Sequence, residues 1–418
     1  MLSLILLSFF LFSGCPDSGV NPPPNPLGLT VENVTSTQAF LKLSLDQGET
    51  QRAVTLKRGD STVFSDLRLL TSDTLVVDEG LLPNKTYTYT LVKDNWTATA
   101  QATTMDTTSH DFTWTVTQLT NSGGTLYDVA IVNDTLAYAV GEMYMYDSTG
   151  QYDPQPYNLA VWNGQAWSLK KVTVSFRGNR ITPPLEGIFC FSSTQIWLVG
   201  SLPIYGDGSN WVMYDLRTTL DSTISVSKAW GINSQNMYFV GRGGSIVHYA
   251  LDMWAKLSSG TDTYIDDIFG VINKKINKEE AYCAVTDFFQ AKDKKILKIT
   301  NTTTVDSIPW TTGRGVVTVW SADGSFLYAG GDGMFENSTG VWKEINYGAH
   351  VYINHIRGNA ANDVFAVADF GIVTHFNGST WKTFYLAPNA DFNSVAVKGN
   401  LVIAVGTIRT TVAVGKRN

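Results

Sequence analysis

The 418-residue sequence predicts an all-β chain, a small sandwich followed by a ring of radially packed sheets, and three observations carry that prediction. First, one strand pattern returns seven times between Leu136 and Gly406: an aromatic, two small or apolar residues, then a small residue or glycine. The aromatic position is Tyr138, Trp197, Tyr238, Tyr282, Tyr328 and Phe365, with Ile403 in the seventh copy, spaced by 59, 41, 44, 46, 37 and 38 residues. Periods near ~40–45 residues with four strand-like segments each mark propeller blades. Second, residues 27–108 hold seven short alternating segments separated by turn residues, the pattern of an immunoglobulin-like sandwich. Third, aromatic residues make up 12% and charged residues only 16%, which suits aromatic-stacked sheets and not helical bundles. The predicted architecture is therefore an immunoglobulin-like sandwich followed by a seven-bladed β-propeller.

Taken in chain order, residues 2–12 form an apolar run too short to span a bilayer, which reads as the core of a secretory signal over residues 1–14. The run ends in Phe12, Ser13, Gly14 and Cys15, which resembles the bacterial lipoprotein cleavage box, although no Lys or Arg precedes it and Phe12 stands where leucine is usual. That resemblance implies export and a lipid anchor on Cys15, holding the chain to a bacterial cell envelope at the outer membrane or cell surface. Residues 15–26, with five prolines, are expected to form an extended tether. Beyond Cys15 only Cys190 and Cys283 remain, in strands of different blades, and both are expected to be small buried hydrophobes and not a disulfide.

Within residues 27–108, Leu81, Pro83 and Tyr87 precede the sixth predicted strand in an arrangement that resembles the fibronectin type III corner. The family's second-strand tryptophan is absent, with Phe40 nearest. The propeller is assigned to residues 109–418. Its clearest blade, 351–386, contains the tight Asn377-Gly378 turn before Trp381, and Asn163-Gly164 stands likewise before Trp167. The last copy, 391–414, supplies three strands before the chain ends. Residues 111–119, whose Trp114 matches Trp381, are expected to add the fourth and to cover an otherwise open sheet edge. Over residues 111–418 the repeat is similar to exported bacterial propellers related to photosystem II assembly-factor and BNR-like repeats. The resemblance implies the propeller fold without a catalytic signature. The Asp-box motif is absent as written, since Phe376 holds its Asp position.

A net charge of −7 excludes a general nucleic-acid binder, which needs a basic footprint. Propellers that hydrolyse glycosides use carboxylates and a tyrosine, with arginines on the sugar carboxylate. The propeller arginines here are Arg177, Arg180, Arg217, Arg242, Arg314, Arg357, Arg409 and Arg417, and they are read as solvated. Asp266 and Asp267 adjoin in the inner strand of the fourth blade, where neighbours point to opposite faces; one is expected to cap a turn and one to face solvent. No catalytic residue, cofactor or metal is assigned. Calcium is the one ion whose chemistry the loops at 147–153 and 205–210 offer.

The most suggestive surface is aromatic. A long loop between the second and third strands of blade one carries Tyr144, Tyr146 and Tyr152, and the equivalent loop of blade two is expected to carry Tyr205, Asp207 and Trp211. With Arg242 these form the expected ligand-binding rim. The chain is thus read as a monomeric cell-envelope lipoprotein, a binding scaffold for a glycan or an envelope protein, touching membrane only through Cys15. The competing class is a carbohydrate-active enzyme, a glycoside hydrolase or glycosyl transferase acting on cell-surface or extracellular sugars. Arginine clustered with acids and tyrosine at the central channel favours the enzyme; a shallow aromatic rim favours the binder.

Overall fold

The computed structural model describes residues 25–46, 53–69, 72–273, 277–287, 293–338 and 340–418. The expected signal segment 1–14, Cys15 and the expected tether up to residue 24 lie outside the described residues. The chain is all-β: among the described residues, helix is confined to Leu216–Thr219 and one turn at Arg242–Gly244. It divides into two compact units. One comprises residues up to Thr30, Lys42–Leu75 and Thr88–Ala100; the other comprises Val31–Leu41, Val76–Tyr87 and Gln101–Asn418. The first unit buries Leu43, Val54, Leu56, Tyr89 and Leu91. The strands before residue 104 form a three-stranded sheet, ordered Leu27–Val34, Gln38–Leu45, Asp73–Glu79, and a four-stranded sheet, ordered Ser61–Arg68, Ala53–Arg58, Thr86–Lys93, Trp96–Thr103.

The second unit carries seven four-stranded antiparallel sheets, the blades of a β-propeller. Their innermost strands are Gly123–Asn133, Gly187–Ser192, Val226–Asn233, Ile265–Asn273, Val316–Trp320, Ile353–Ala360 and Phe392–Lys398. Each inner strand touches the next, and the seventh touches the first, so the ring is closed. Every aromatic of the repeat, and Ile403, falls in the second strand of its blade and is buried against the following blade, while its strand neighbours face the preceding one. Burial on both faces is what gives these strands their continuous apolar run in place of alternation. Between blades seven and one, for example, Leu401, Ile403, Val405 and Val412 share one core with Leu126, Ile131, Ala137 and Trp162.

The fourth strand of the seventh blade is Phe112–Gln118, drawn from ahead of the first blade. It pairs with Thr411–Arg417 from Phe112 opposite Arg417 to Gln118 opposite Thr411, with Trp114 opposite Gly415.

Candidate functional site at the channel mouth

The geometry of the inner strands builds the site. In blade four Ile265 pairs with Val285 and Asp267 with Ala284, so Asp266 is an extra residue, a β-bulge. The same slip occurs at Tyr127, Ser227, Val317, Asn354 and Asn393. In blade two Glu186, just before the strand, donates its N–H to the Val199 carbonyl at 2.7 Å while Gly187 pairs with Val199. Bulges re-aim side chains. Here each blade sends one such residue into a common cavity of about 620 Å³, and Glu142, Lys228, Arg242, Tyr264, Tyr352 and Asp369 complete its polar wall.

The glycine that ends the strand repeat has its reason here. A Cβ at Gly200 or Gly406 would run into the carbonyl oxygen of Pro184 or Asp391, at the kink that precedes the inner strand. Blades four and six carry Val285 and Ala368 at this position.

Directly beneath the bulge residues runs a buried polar belt. Asp128 accepts from the Ile188 N–H at 3.2 Å and the Ser394 hydroxyl at 2.7 Å, and pairs with Lys228 at 3.1 Å. Asp267 accepts from the Thr318 hydroxyl at 2.8 Å, the Val319 N–H at 3.1 Å and Arg357 at 2.7 Å. His355 Nδ1 accepts the Val395 N–H at 3.2 Å. All seven blades contribute a group to this layer. Burial alone would raise both carboxyls; Arg357 and His355 instead hold Asp267 well below the usual range, and Lys228 and His355 lower Asp128. Breaking such a pair leaves an uncompensated buried charge, at a cost of about 3–5 kcal/mol.

These placements correct the expectation for Asp266 and Asp267. They do point to opposite sides, but neither caps a turn or faces open solvent: Asp267 is in the belt, and Asp266 faces the cavity. Burial, then the Asp267 charge, pushes the Asp266 carboxyl up to about 8, with Lys228 opposing. Burial likewise raises Asp369 and the phenols of Tyr127, Tyr264 and Tyr352. Arg357 and Arg417 are also not solvated arginines, since they pair with the buried Asp267 and Asp363.

The expected rim separates into three parts. Arg242 lines the cavity and bonds Glu186 at 3.2 Å. Tyr144, Tyr146 and Tyr152 stand beside the same mouth: Tyr144 donates to Glu142 at 3.4 Å and stacks on Tyr152 at 5.8 Å, with Tyr146 edge-on to Tyr152. Tyr205, Asp207 and Trp211, however, are not in the second-to-third-strand loop of blade two. That connection is Ser201 alone, and the three residues belong to the next hairpin, joining Leu202–Gly206 to Trp211–Met213. Successive turns of an antiparallel sheet lie at opposite ends, so this hairpin faces away from the tyrosine loop. Tyr205 packs on Trp197 at 4.9 Å. Asp207 accepts the N–H groups of Asn210 and Ser209, which pull it down to about 2. Asp147 similarly accepts from Thr149 and Gln151 within its own turn. Among the described residues no three of His, Cys, Asp or Glu gather as a metal site, and no helix is long and apolar enough to cross a membrane.

No family model and no curated protein matches the chain. Solved structures do. "YCF48 bound to D1 peptide" shares 13% identity over 73% of this chain and 97% of that one, with a TM-score of 0.55. YCF48 from Cyanidioschyzon merolae shares 11% over 73% and 98%, also at 0.55. The extracellular domain of the one-component system BT4673 from B. thetaiotaomicron shares 12%, with a TM-score of 0.52, over 73% of this chain and 40% of that one. At these identities the likeness establishes the β-propeller fold.

Proposed function

We propose that the protein is an exported binding scaffold that holds a partner, a protein segment or a glycan, at the mouth of its propeller channel. The convergence of one bulge residue from each blade on a single polar cavity carries this reading, because conserving the bulge while varying its side chain suits recognition. A propeller of the same fold is known with a bound peptide, and another is an extracellular domain. The exposed Tyr146 and Tyr152 beside the mouth add aromatic contact area.

The test is capture on peptide and glycan arrays by three chains: wild type, Val317→Trp and the Tyr146→Ala/Tyr152→Ala pair. Val317→Trp fills the cavity from a bulge position and is expected to abolish capture, while the tyrosine pair weakens it. Capture retained by Val317→Trp overturns the channel-mouth assignment.

A second reading, a glycoside hydrolase, draws on the raised Asp266 carboxyl beside Tyr264, Arg242 and Glu186, since an acid still protonated at neutral pH serves as a proton donor. It has one arginine at the mouth, already tied to Glu186. Turnover of a fluorogenic glycoside that is lost in Asp266→Asn decides for it.

Residues 27–108 are proposed as a fibronectin type III-like spacer; the Leu82 N–H donates to Tyr87 Oη at 2.9 Å, the backward contact of a tyrosine corner. Residues 1–14 are proposed as a lipoprotein-type signal, with Cys15 after it carrying the lipid.

A further inference from the structure

We propose that the channel mouth seats a cationic group of the partner, an ammonium or guanidinium, against Asp266. This rests on the reading of the mouth as the binding site and names the chemistry it selects.

Asp266 is delivered to the cavity by its bulge and makes no hydrogen bond or ion pair among the described residues; its Oδ2 is shielded from solvent yet without a donor. Buried polar atoms in native proteins almost always have partners, and an exception asks for an explanation. The cations already at the mouth are committed elsewhere. Lys228 pairs with Asp128 at 3.1 Å, and Arg242 pairs with Glu186 at 3.2 Å and lies over the Tyr264 ring at 6.0 Å. Arg357 is held by Asp267. The acids are in surplus: Glu142 is met by the Tyr144 hydroxyl and Asp369 by the Asn354 amide, and neither has a cation within pairing distance among the described residues. A positive ligand supplies the counter-charge that Asp266 lacks once it ionises. An anion would meet three uncompensated carboxyls in a partly dehydrated site. Tyr127 and Tyr352, which also line the cavity, add aromatic surface that suits a cation further.

The groups around Asp266 set the pH behaviour. Asp267 lies next to it on the same strand, Lys228 faces it from blade three, and Tyr264 and Tyr352 face it from the segments before blades four and six. Arg242, Glu186, Glu142, Asp369 and His355 complete the titratable surroundings. With Asp266 at about 8, the cation must displace a proton to bind at neutral pH, and that proton passes to solvent. Affinity for a permanent cation therefore rises as pH rises toward about 8.

The experiment uses saturation-transfer NMR on the full chain, with n-butylguanidinium and n-butylammonium as probes and n-butanol and butyrate as neutral and anionic controls. Butylguanidinium is expected to bind more than about tenfold tighter at pH 9 than at pH 6, in line with a carboxylate site that is only slightly ionised at the lower pH. Asp266→Asn should remove that pH dependence while melting at or above wild type, since it relieves a buried acid. An affinity that is flat with pH, Asp266→Asn binding as wild type does, or no signal from either cation at millimolar concentration overturns the proposal. Butanol or butyrate bound more tightly than the cations overturns the ligand class alone. Capture retained by Val317→Trp overturns the site.

Discussion

Where blades six and seven meet, His110 and His375 face each other through their Nδ1 atoms at 2.8 Å. Their other partners fix the tautomers. His375 Nε2 donates to Asp363 at 2.9 Å, so its Nδ1 accepts; His110 Nδ1 therefore donates, and its Nε2 accepts from the Thr380 hydroxyl at 3.1 Å. Arg417 shares Asp363 and covers the Phe112 ring at 5.0 Å. Both imidazoles are neutral in this chain of bonds, and a proton added to either would be buried near Arg417 and Lys382. Burial first, then His375 and Lys382, push His110 from its ordinary 6.5 down to about 4, and burial also lowers His375. A folded-state value below the unfolded one means the folded form holds fewer protons. The stabilisation is thus complete above about 6.5 and is lost as pH falls through the window down to about 4. The expected result is that the melting temperature of wild type falls more steeply between pH 7 and pH 4 than that of His110→Gln. Parallel profiles would show that the pair contributes nothing to the acid response.

At the scale of the strand, the repeat read from the sequence maps onto one element: the aromatic position is the second strand in every blade, and the terminal glycine is the place where that strand passes the kink of the inner one. This was legible because burial on both faces leaves a run of apolar residues with a fixed end. The site was not legible, for an opposite reason. A bulge shifts the side-chain alternation by one, so Asp266 and Asp267 read as an ordinary strand pair although one enters the channel and the other the belt. Blade two misled in a similar way: its second and third strands are separated by Ser201 alone, at φ 65°, so Tyr205 reads as loop when it is strand. Gly406→Ala forces a Cβ against the Asp391 carbonyl and is expected to lower stability by about 1–3 kcal/mol. Ala368→Gly, at the equivalent position where a side chain is already accommodated, should cost roughly 1 kcal/mol or less. Equal melting of Gly406→Ala and wild type in denaturant titrations would refute the close-approach account.

For the molecule as a whole, the propeller's ends are joined twice over. Phe112–Gln118 completes the seventh sheet through a pairing seven residues long, and Asp128 and Ser394 bond across the blade-one and blade-seven inner strands in the belt beneath the cavity. Removing the outer strand leaves the Thr411–Arg417 edge unpaired, uncovers Phe384 and Phe365 beneath Phe112 and Trp114, and dissolves the His110 contact. A bare edge of this kind recruits other chains. The chain lacking residues 109–120 is therefore expected to lose its single cooperative calorimetric transition and to elute from gel filtration as aggregates. The same deletion bears on the cavity, whose lining draws at least one residue from every blade and so exists only while the ring is closed. Array capture should disappear along with the sharp transition, although none of the deleted residues lines the mouth. A deleted chain that melts sharply as a monomer would show that the outer strand is dispensable for closure, and one that is aggregated yet captures normally would show that recognition does not need the intact ring.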